Sequence, residues 1–163
     1  MPPNMATLGP ITAAMLSSSS SKWEKTMPPI NWVAVLIAWI VGWLVHGIWY
    51  MIFSRPWLRA LGWTAADMAT PDGRRRVPAG PMIASLVAEL VMALMLAGIV
   101  GHLGGPGIVI GAVSGVLIWL GFVVTTIAVN NAFQKRSVTL TVIDAGAWLA
   151  VLLVQGIILG LFG

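Results

Sequence analysis

Three side chains with ionisable groups lie inside long apolar stretches of this sequence: His46, Glu89 and Asp144. A charged group near the centre of a bilayer costs about 3 kcal/mol on insertion scales, so each needs a hydrogen-bond partner or a wet cavity. Imidazole and carboxyl groups exchange protons, bind cations or hold helices together by hydrogen bonds. These residues are therefore the candidate site, and the segments that carry them decide which chemistry is open to them.

The three groups are expected at one depth. Each lies eight or nine residues from the nearest basic or proline residue at one end of its apolar segment. At about 1.5 Å per residue, that distance is about 12 to 14 Å. Thr125 and Thr126 lie ten and nine residues from Lys135 on a third segment. The sequence thus predicts an intramembrane polar layer formed by His46, Glu89, Thr125, Thr126 and Asp144.

Residues four apart share a helix face, so spacing indicates which neighbours accompany each polar group. The resulting faces are Gly42, His46 and Tyr50; Ser85, Glu89, Ala93, Ala97 and Gly101; and Asp144, Trp148 and Gln155. Two interpretations of the layer remain open. In one, the carboxyl groups are protonated or hydrogen-bonded to His46 and the threonines, which fixes helix register. In the other, the His and the acids relay protons or bind a cationic or polar solute.

Composition identifies the class of protein. Of the 163 residues, 58% are hydrophobic and 9% are charged, whereas a soluble domain carries about a quarter charged residues. Four segments have the roughly 20 residues needed to cross a bilayer, at about 30–53, 82–100, 108–129 and 138–162. A lipid-exposed backbone must satisfy its own hydrogen bonds, so each is expected to be helical. The predicted fold is all-α, a four-helix transmembrane bundle spanning 27–163.

The first 26 residues are polar and low in complexity, with five serines at 17–21. They lack the basic start and apolar centre of a signal peptide, so we predict a disordered tail. Met27 directly precedes the first apolar segment. Translation starting at Met27 is the alternative explanation of the tail.

Basic residues predict the orientation. Two of the connections between apolar segments are basic, whereas the other side has only Lys22 and Lys25. Because basic loops stay in the cytoplasm, both termini are expected outside a bacterial inner membrane. The predicted cytoplasmic anchors are Arg55, Arg59, Arg74, Arg75, Arg76, Lys135 and Arg136.

The first basic connection carries structural signals of its own. Trp57 and Leu58 alternate with Arg55 and Arg59, which suits a short helix lying at the headgroup level. Thr64 with Asp67 three residues on is a relative of the capping box and suggests a second helix start.

Two glycine rows suggest close helix contacts. Gly107, Gly111 and Gly115 repeat every four residues on the third segment, and Gly156 and Gly160 repeat the spacing on the fourth. Small residues at this spacing let helix backbones approach one another. We expect these rows to mediate association with a second copy or a membrane partner.

Motifs for other chemistry are weak. The chain has no cysteine and two histidines 56 positions apart, so we expect no metal site and no cofactor. The sequence AVSG at 112–115 resembles an intramembrane serine protease motif only in part, because Ala112 stands where that motif has glycine. Four tryptophans expected deep in the membrane are assigned to packing or lipid contact: Trp39, Trp43, Trp119 and Trp148.

The segments INWVAVLIAWIVGWLVHGIWY, SRPWLRALGW, LIWLGFVVTTIAVNNAF and VIDAGAWLAVLLVQGIILGLF carry a family resemblance. They resemble the small bacterial membrane proteins grouped as domain of unknown function 1761, over about residues 30–162. The clearest points are Asn31-Trp32, Gly47, Trp49-Tyr50, Trp57, Gly121-Phe122, Asp144 and Gly146. The resemblance implies four helices and favours a start at Met27, but it implies no activity and no catalytic residues.

Two functions follow as expectations. The first is a non-enzymatic inner-membrane protein, held in the lipid bilayer, that self-associates or binds a membrane partner through its glycine rows. The second is a proton-coupled carrier or channel for a small solute, acting as an oligomer with Glu89 and Asp144 as proton or cation sites and His46 as relay. The basic residues serve as topology signals, so no nucleic-acid partner is expected.

Overall fold

The computed structural model describes residues 30–64, 66–67 and 79–162. These residues form five helices: α1 (Trp32–Ile52), α2 (Ser54–Leu61), α3 (Ala79–His102), α4 (Ile108–Phe133) and α5 (Val138–Phe162). The predicted tail at 1–26, Met27 and the anchors Arg74, Arg75 and Arg76 lie outside the described residues.

Four of the helices are long and apolar enough to cross a membrane. Helices α1, α3, α4 and α5 contain 21, 24, 26 and 25 residues, and 20 residues at about 1.5 Å each already span the hydrocarbon core. The predicted all-α fold with four spans is confirmed, as is the short helix between the first two. The third span is longer than predicted, because it continues to Phe133 instead of ending near 129.

Local sequence explains how α1 begins and how α2 ends. The Asn31 side chain accepts hydrogen bonds from the backbone N–H groups of Val33 and Ala34, which have no partner in the first turn of α1. Helix α2 ends at Leu61, and the backbone of Gly62 directly after it is left-handed at φ 74°. Glycine adopts this conformation without strain, so the chain turns away there.

Helix α5 is the central element. Of the 18 most apolar consecutive residues of α5, 44% are buried, compared with 17 to 22% in the corresponding stretches of the other three spans. It packs against α1, α3 and α4. An apolar core lies where α1 and α3 meet α5, and its buried members are Ala34, Val35, Ala38, Ala93, Leu96, Val100, Leu152 and Leu159.

The glycine rows form the contact between α4 and α5. A methyl group on Gly111 would lie less than 3.0 Å from backbone atoms of Gly156, and one on Gly160 would clash equally with the backbone of Gly107. Gly115 meets the backbone of Leu152 in the same way. The two helices are therefore in backbone contact, which only glycine permits at these positions.

Helix α4 changes character at its middle. Trp119–Val123 form a π-helical turn between α-helical halves. The first half buries Gly111, Ser114 and Gly115, whereas no residue of Val124–Phe133 is buried. The second half of α4 therefore presents most of its surface outward.

Candidate functional site

Helices α1 and α5 meet along a ladder of three residue pairs. Gly42 faces Gln155, His46 faces Trp148, and Tyr50 faces Asp144. The members on α1 lie one turn apart. Their partners on α5 follow in the reverse sequence order, because the two helices are antiparallel. We call these pairs the α1–α5 ladder. Its two faces are those that spacing indicates in the sequence.

The first pair of the ladder depends on the size of Gly42. Any Cβ at this position would lie 2.9 Å from Gln155 Nε2, so glycine leaves room for the amide. Gln155 uses that room to donate from Nε2 to the backbone carbonyl of Glu89 at 3.0 Å. Gln155 thus links α5 to α3 by a hydrogen bond, at the point where Gly42 of α1 packs against it.

His46, in the second pair of the ladder, also contacts the most buried acid of the described residues, Glu89 of α3. His46 Nδ1 and Glu89 Oε1 are 2.5 Å apart, and the Glu89 side chain is fully buried. The imidazole is 12% exposed, and its ring centroid lies 4.6 Å from that of Trp148. A carboxyl and an imidazole in this contact can share a proton between helices α1 and α3.

The third pair of the ladder gathers donors around Asp144. Its Oδ1 accepts from the Tyr50 hydroxyl at 2.8 Å and from Trp57 Nε1 at 3.0 Å. Because Trp57 lies on α2, this carboxyl fastens the short helix to the central span. Buried Leu58 is the apolar part of the same attachment, while Arg55 and Arg59 remain exposed on α2.

Indole groups add hydrogen bonds between the spans. Trp39 donates to the Leu86 carbonyl at 2.8 Å, Trp49 to the Ile143 carbonyl at 3.0 Å, and Trp119 to the Ala145 carbonyl at 2.7 Å. A helical carbonyl has a second lone pair beyond the one used inside the helix. Tryptophan therefore links neighbouring spans without breaking either helix, and Trp119 does so from the first residue of the π-helical turn.

The predicted polar layer separates into two centres and two outlying threonines. His46 and Glu89 lie together, and Asp144 has its own partners on α1 and α2. Thr125 and Thr126 are exposed, and their hydroxyls donate to the carbonyls one turn earlier on α4. A shared predicted depth does not ensure contact, because the second half of α4 turns these threonines away from α1 and α3.

The remaining predicted residues are placed as follows. Gly107, Gly111, Gly115, Gly156 and Gly160 are used within the chain, between α4 and α5. The expectation that these rows mediate association with a second copy or a membrane partner stays a prediction. Lys135 and Arg136 lie exposed in the α4–α5 turn. Thr64 and Asp67 do bond, within a turn.

Sequence reasoning named His46 as a partner for the acids, which it is for Glu89, but it missed the partners of Asp144. Tyr50 and Trp57 bind Asp144 across more than 85 positions of sequence, and spacing along one helix carries no information on that distance. Gln155 was visible as a polar residue on the face of Asp144, but its bond to the Glu89 carbonyl requires the packing of three helices. Among the described residues, no group of three His, Asp or Glu side chains is placed to hold a metal ion.

Comparison with known proteins assigns a family. Residues 33–160 match the family model described as protein of unknown function DUF1761. The chain belongs to this family. The matched residues include the whole α1–α5 ladder and Glu89, so this DUF1761 protein carries both polar centres within the family region. No curated protein and no solved structure gives a significant match.

Proposed function

We propose that this DUF1761 protein is a non-enzymatic, multi-pass membrane protein that self-associates through the second half of α4. The surface concerned, which we call the outer α4 face, consists of Phe122, Thr125, Thr126, Val129, Asn130 and Phe133. All six are exposed. The single observation that carries the proposal is the exposure of three polar side chains on the outside of a membrane span.

Polar side chains that face lipid are unusual in spans, whereas exposed leucines and isoleucines are expected there. Thr125 and Thr126 satisfy their hydroxyls on their own helix. Asn130 has two amide donors and a carbonyl acceptor, and it lies with both threonines along a shallow open groove. Another helix lying in that groove would bring the amide a hydrogen-bond partner within the membrane.

A second copy of this chain is the occupant that the amide favours. Asn is self-complementary, because its N–H group can donate to the carbonyl of an identical Asn across a two-fold axis. Polar residues at such positions drive association of spans by about 1 to 2 kcal/mol in model peptides. The flanking rings of Phe122 and Phe133 would add packing area on either side of the Asn130 pair.

Cross-linking tests this association directly, because the sequence contains no cysteine. We expect Asn130→Cys to form a disulfide dimer when isolated membranes are oxidised. Met51→Cys is the matched control, because Met51 is 69% exposed near the corresponding end of α1, which runs in the same direction as α4. Equal cross-linking at both positions would mean random collision and would contradict the proposed interface.

A variant that keeps the native surface otherwise intact gives a second measurement. Asn130→Leu removes the amide but preserves the bulk of the side chain. We expect it to weaken dimerisation in mild detergent about tenfold, because about 1.4 kcal/mol corresponds to a factor of ten. Leu36→Ala on the exposed side of α1 serves as control. An unchanged dimer fraction in Asn130→Leu would remove the amide from the interface.

The proposal includes the orientation of the chain in a bacterial inner membrane. Helices α1 and α4 run in the same direction, since each is antiparallel to α5. Arg55 and Arg59 after α1 therefore lie on the same side as Lys135 and Arg136 after α4. Basic residues favour the cytoplasmic side, which supports extracytoplasmic termini. Reaction of single cysteines at Thr64 and Leu103 with an impermeant maleimide on intact cells tests this orientation.

A proton-coupled carrier or channel for a small solute is the second candidate function. The observation that favours it is a carboxyl that is fully buried between spans and paired with an imidazole, because ionisable groups at such positions often form proton or ion pathways. Proton flux into liposomes, measured for the wild type and for Glu89→Gln with Asp144→Asn, tests it. A wild type without flux would exclude this candidate.

A further inference from the structure

In the part of the chain that the structure describes, two buried side-chain oxygens lack a hydrogen-bond donor at the centre where α1, α3 and α5 meet. Glu89 and Gln155 are both fully buried, at 0% exposure. Among the described residues, Glu89 Oε2 and Gln155 Oε1 have no donor. Gln155 Nε2 donates to the backbone carbonyl of Glu89, so the two orphaned oxygens belong to two residues that are in contact. A buried acceptor without a donor loses its hydration with no compensation.

A hydrogen on Glu89 Oε2 would turn that atom into a donor, and within the described part of the chain Gln155 Oε1 is a free acceptor on a residue in contact with Glu89. We propose that the centre binds a proton at Glu89 Oε2, so that Glu89 is a neutral carboxylic acid donating from this atom to Gln155 Oε1. Glu89 Oε1 then accepts from Nδ1–H of a neutral His46. Proton binding forms one O–H bond and changes the charge of the carboxyl from −1 to zero, with no electron transferred.

The competing arrangement is an imidazolium paired with a carboxylate. It contains the same number of protons, but one of them sits on His46 Nε2 instead of Glu89 Oε2. That arrangement leaves both orphaned oxygens without a donor, and it places two full charges inside the spans, where desolvation is costly. A nearby aromatic ring can favour a cation, and Trp148 lies beside His46. The unsatisfied oxygens and the charge separation oppose this contribution.

The groups around the centre are consistent with a neutral carboxyl. Helix α1 presents His46 and, one turn on, Tyr50, whose hydroxyl bonds to Asp144. Helix α5 presents Gln155 and, further along, Asp144 itself. Helix α4 contributes the uncharged indole of Trp119. Among the described residues, His46 is the one basic group paired with Glu89.

The assigned site is therefore a proton-binding centre made of His46, Glu89 and Gln155. Its imidazole is the partly exposed member. The assignment is independent of self-association through the outer α4 face. It supplies the proton site that the second candidate function requires, but it holds whether or not the protein transports anything.

Spectroscopy on the wild type in lipid bilayers tests where the proton lies. With ¹⁵N-labelled histidine, we expect His46 near neutral pH to show a neutral ring protonated at Nδ1, and His102→Gln assigns the two signals. Infrared spectra should contain the C=O stretch of a protonated carboxyl that disappears in Glu89→Gln and persists in Asp144→Asn. A His46 imidazolium without that band would overturn the proposal, and wild-type spectra do not depend on any variant folding.

Two further variants separate the proton from the charge. Gln155→Leu removes the acceptor, so the Glu89 C=O stretch should move toward that of a free acid. Glu89→Gln keeps one donor and one acceptor, so its folded yield should match the wild type while the band is lost. A collapsed yield in Glu89→Gln together with a normal yield in Glu89→Asp would show that the negative charge is required, and would refute the neutral acid.

Discussion

The contact between α4 and α5 gives a quantitative prediction for Gly111→Ala. A methyl group at this position would lie 2.7 Å from the Gly156 carbonyl carbon, closer still to its oxygen, and 3.3 Å from Gly160 Cα. All three atoms belong to the backbone of another helix, so no side chain can move aside. The helices must separate, and overpacking of this kind costs about 1 to 3 kcal/mol. We expect a value near the upper end.

Gly98→Ala is the matched control on α3. A methyl group there meets nothing within 4 Å, and replacing a helical glycine by alanine stabilises a helix by about 0.5 to 1 kcal/mol. The two variants should therefore differ by about 3.5 to 4 kcal/mol, which is about 400- to 900-fold in the folding equilibrium. Gly42→Ala should fall between them, because its neighbour is the flexible end of Gln155 at 2.9 Å.

Reversible unfolding in mixed micelles measures this difference. The fraction of denaturing detergent is raised while helix content is followed by circular dichroism, and the midpoints of the three variants are compared with the wild type. Gly111→Ala should unfold first and Gly98→Ala last. Equal midpoints for these two variants would refute the backbone contact between α4 and α5. A loss of oligomer without loss of stability in Gly111→Ala would instead place this glycine between two copies.

Three further predictions concern single polar contacts. Asp144→Leu should raise amide hydrogen exchange throughout α2, because Trp57 loses its acceptor. Asp144→Asn retains a carbonyl oxygen and should protect α2 as the wild type does. Equal exchange in the two variants would contradict the attachment of α2 through Asp144. Trp119→Phe should destabilise the fold by about 1 kcal/mol in the same unfolding assay, since the Ala145 carbonyl loses one donor, and an unchanged midpoint would show that this bond contributes nothing. Hydrogen bonds from Thr64 lower the pKa of Asp67 below its ordinary value, so the contact is complete above the ordinary pKa and is lost as the pH falls through the lowered pKa. In Thr64→Val, carbon NMR of the Asp67 carboxyl should find the titration at higher pH than in the wild type. Identical titrations in the two proteins would contradict this contact.

The sequence predicts those features of the fold that a lipid environment requires of any long apolar segment. An apolar segment of about 20 residues must be helical in a bilayer, whatever its neighbours are. The four spans and the short helix before Gly62 follow from that rule and from local signals. The end of α4 was misplaced, because the predicted span stopped near residue 129 whereas the helix continues to Phe133.

Pairing between helices could not be predicted, because it depends on the rotation of each helix about its own axis. The sequence by itself determined that His46, Glu89 and Asp144 lie within spans and which residues share their faces. Only the tertiary structure decided that Glu89 pairs with His46 and that Asp144 pairs with Tyr50 and Trp57. It also decided that the glycine rows meet each other within one chain, since backbone contact between α4 and α5 uses both rows and turns Thr125, Thr126 and Asn130 outward.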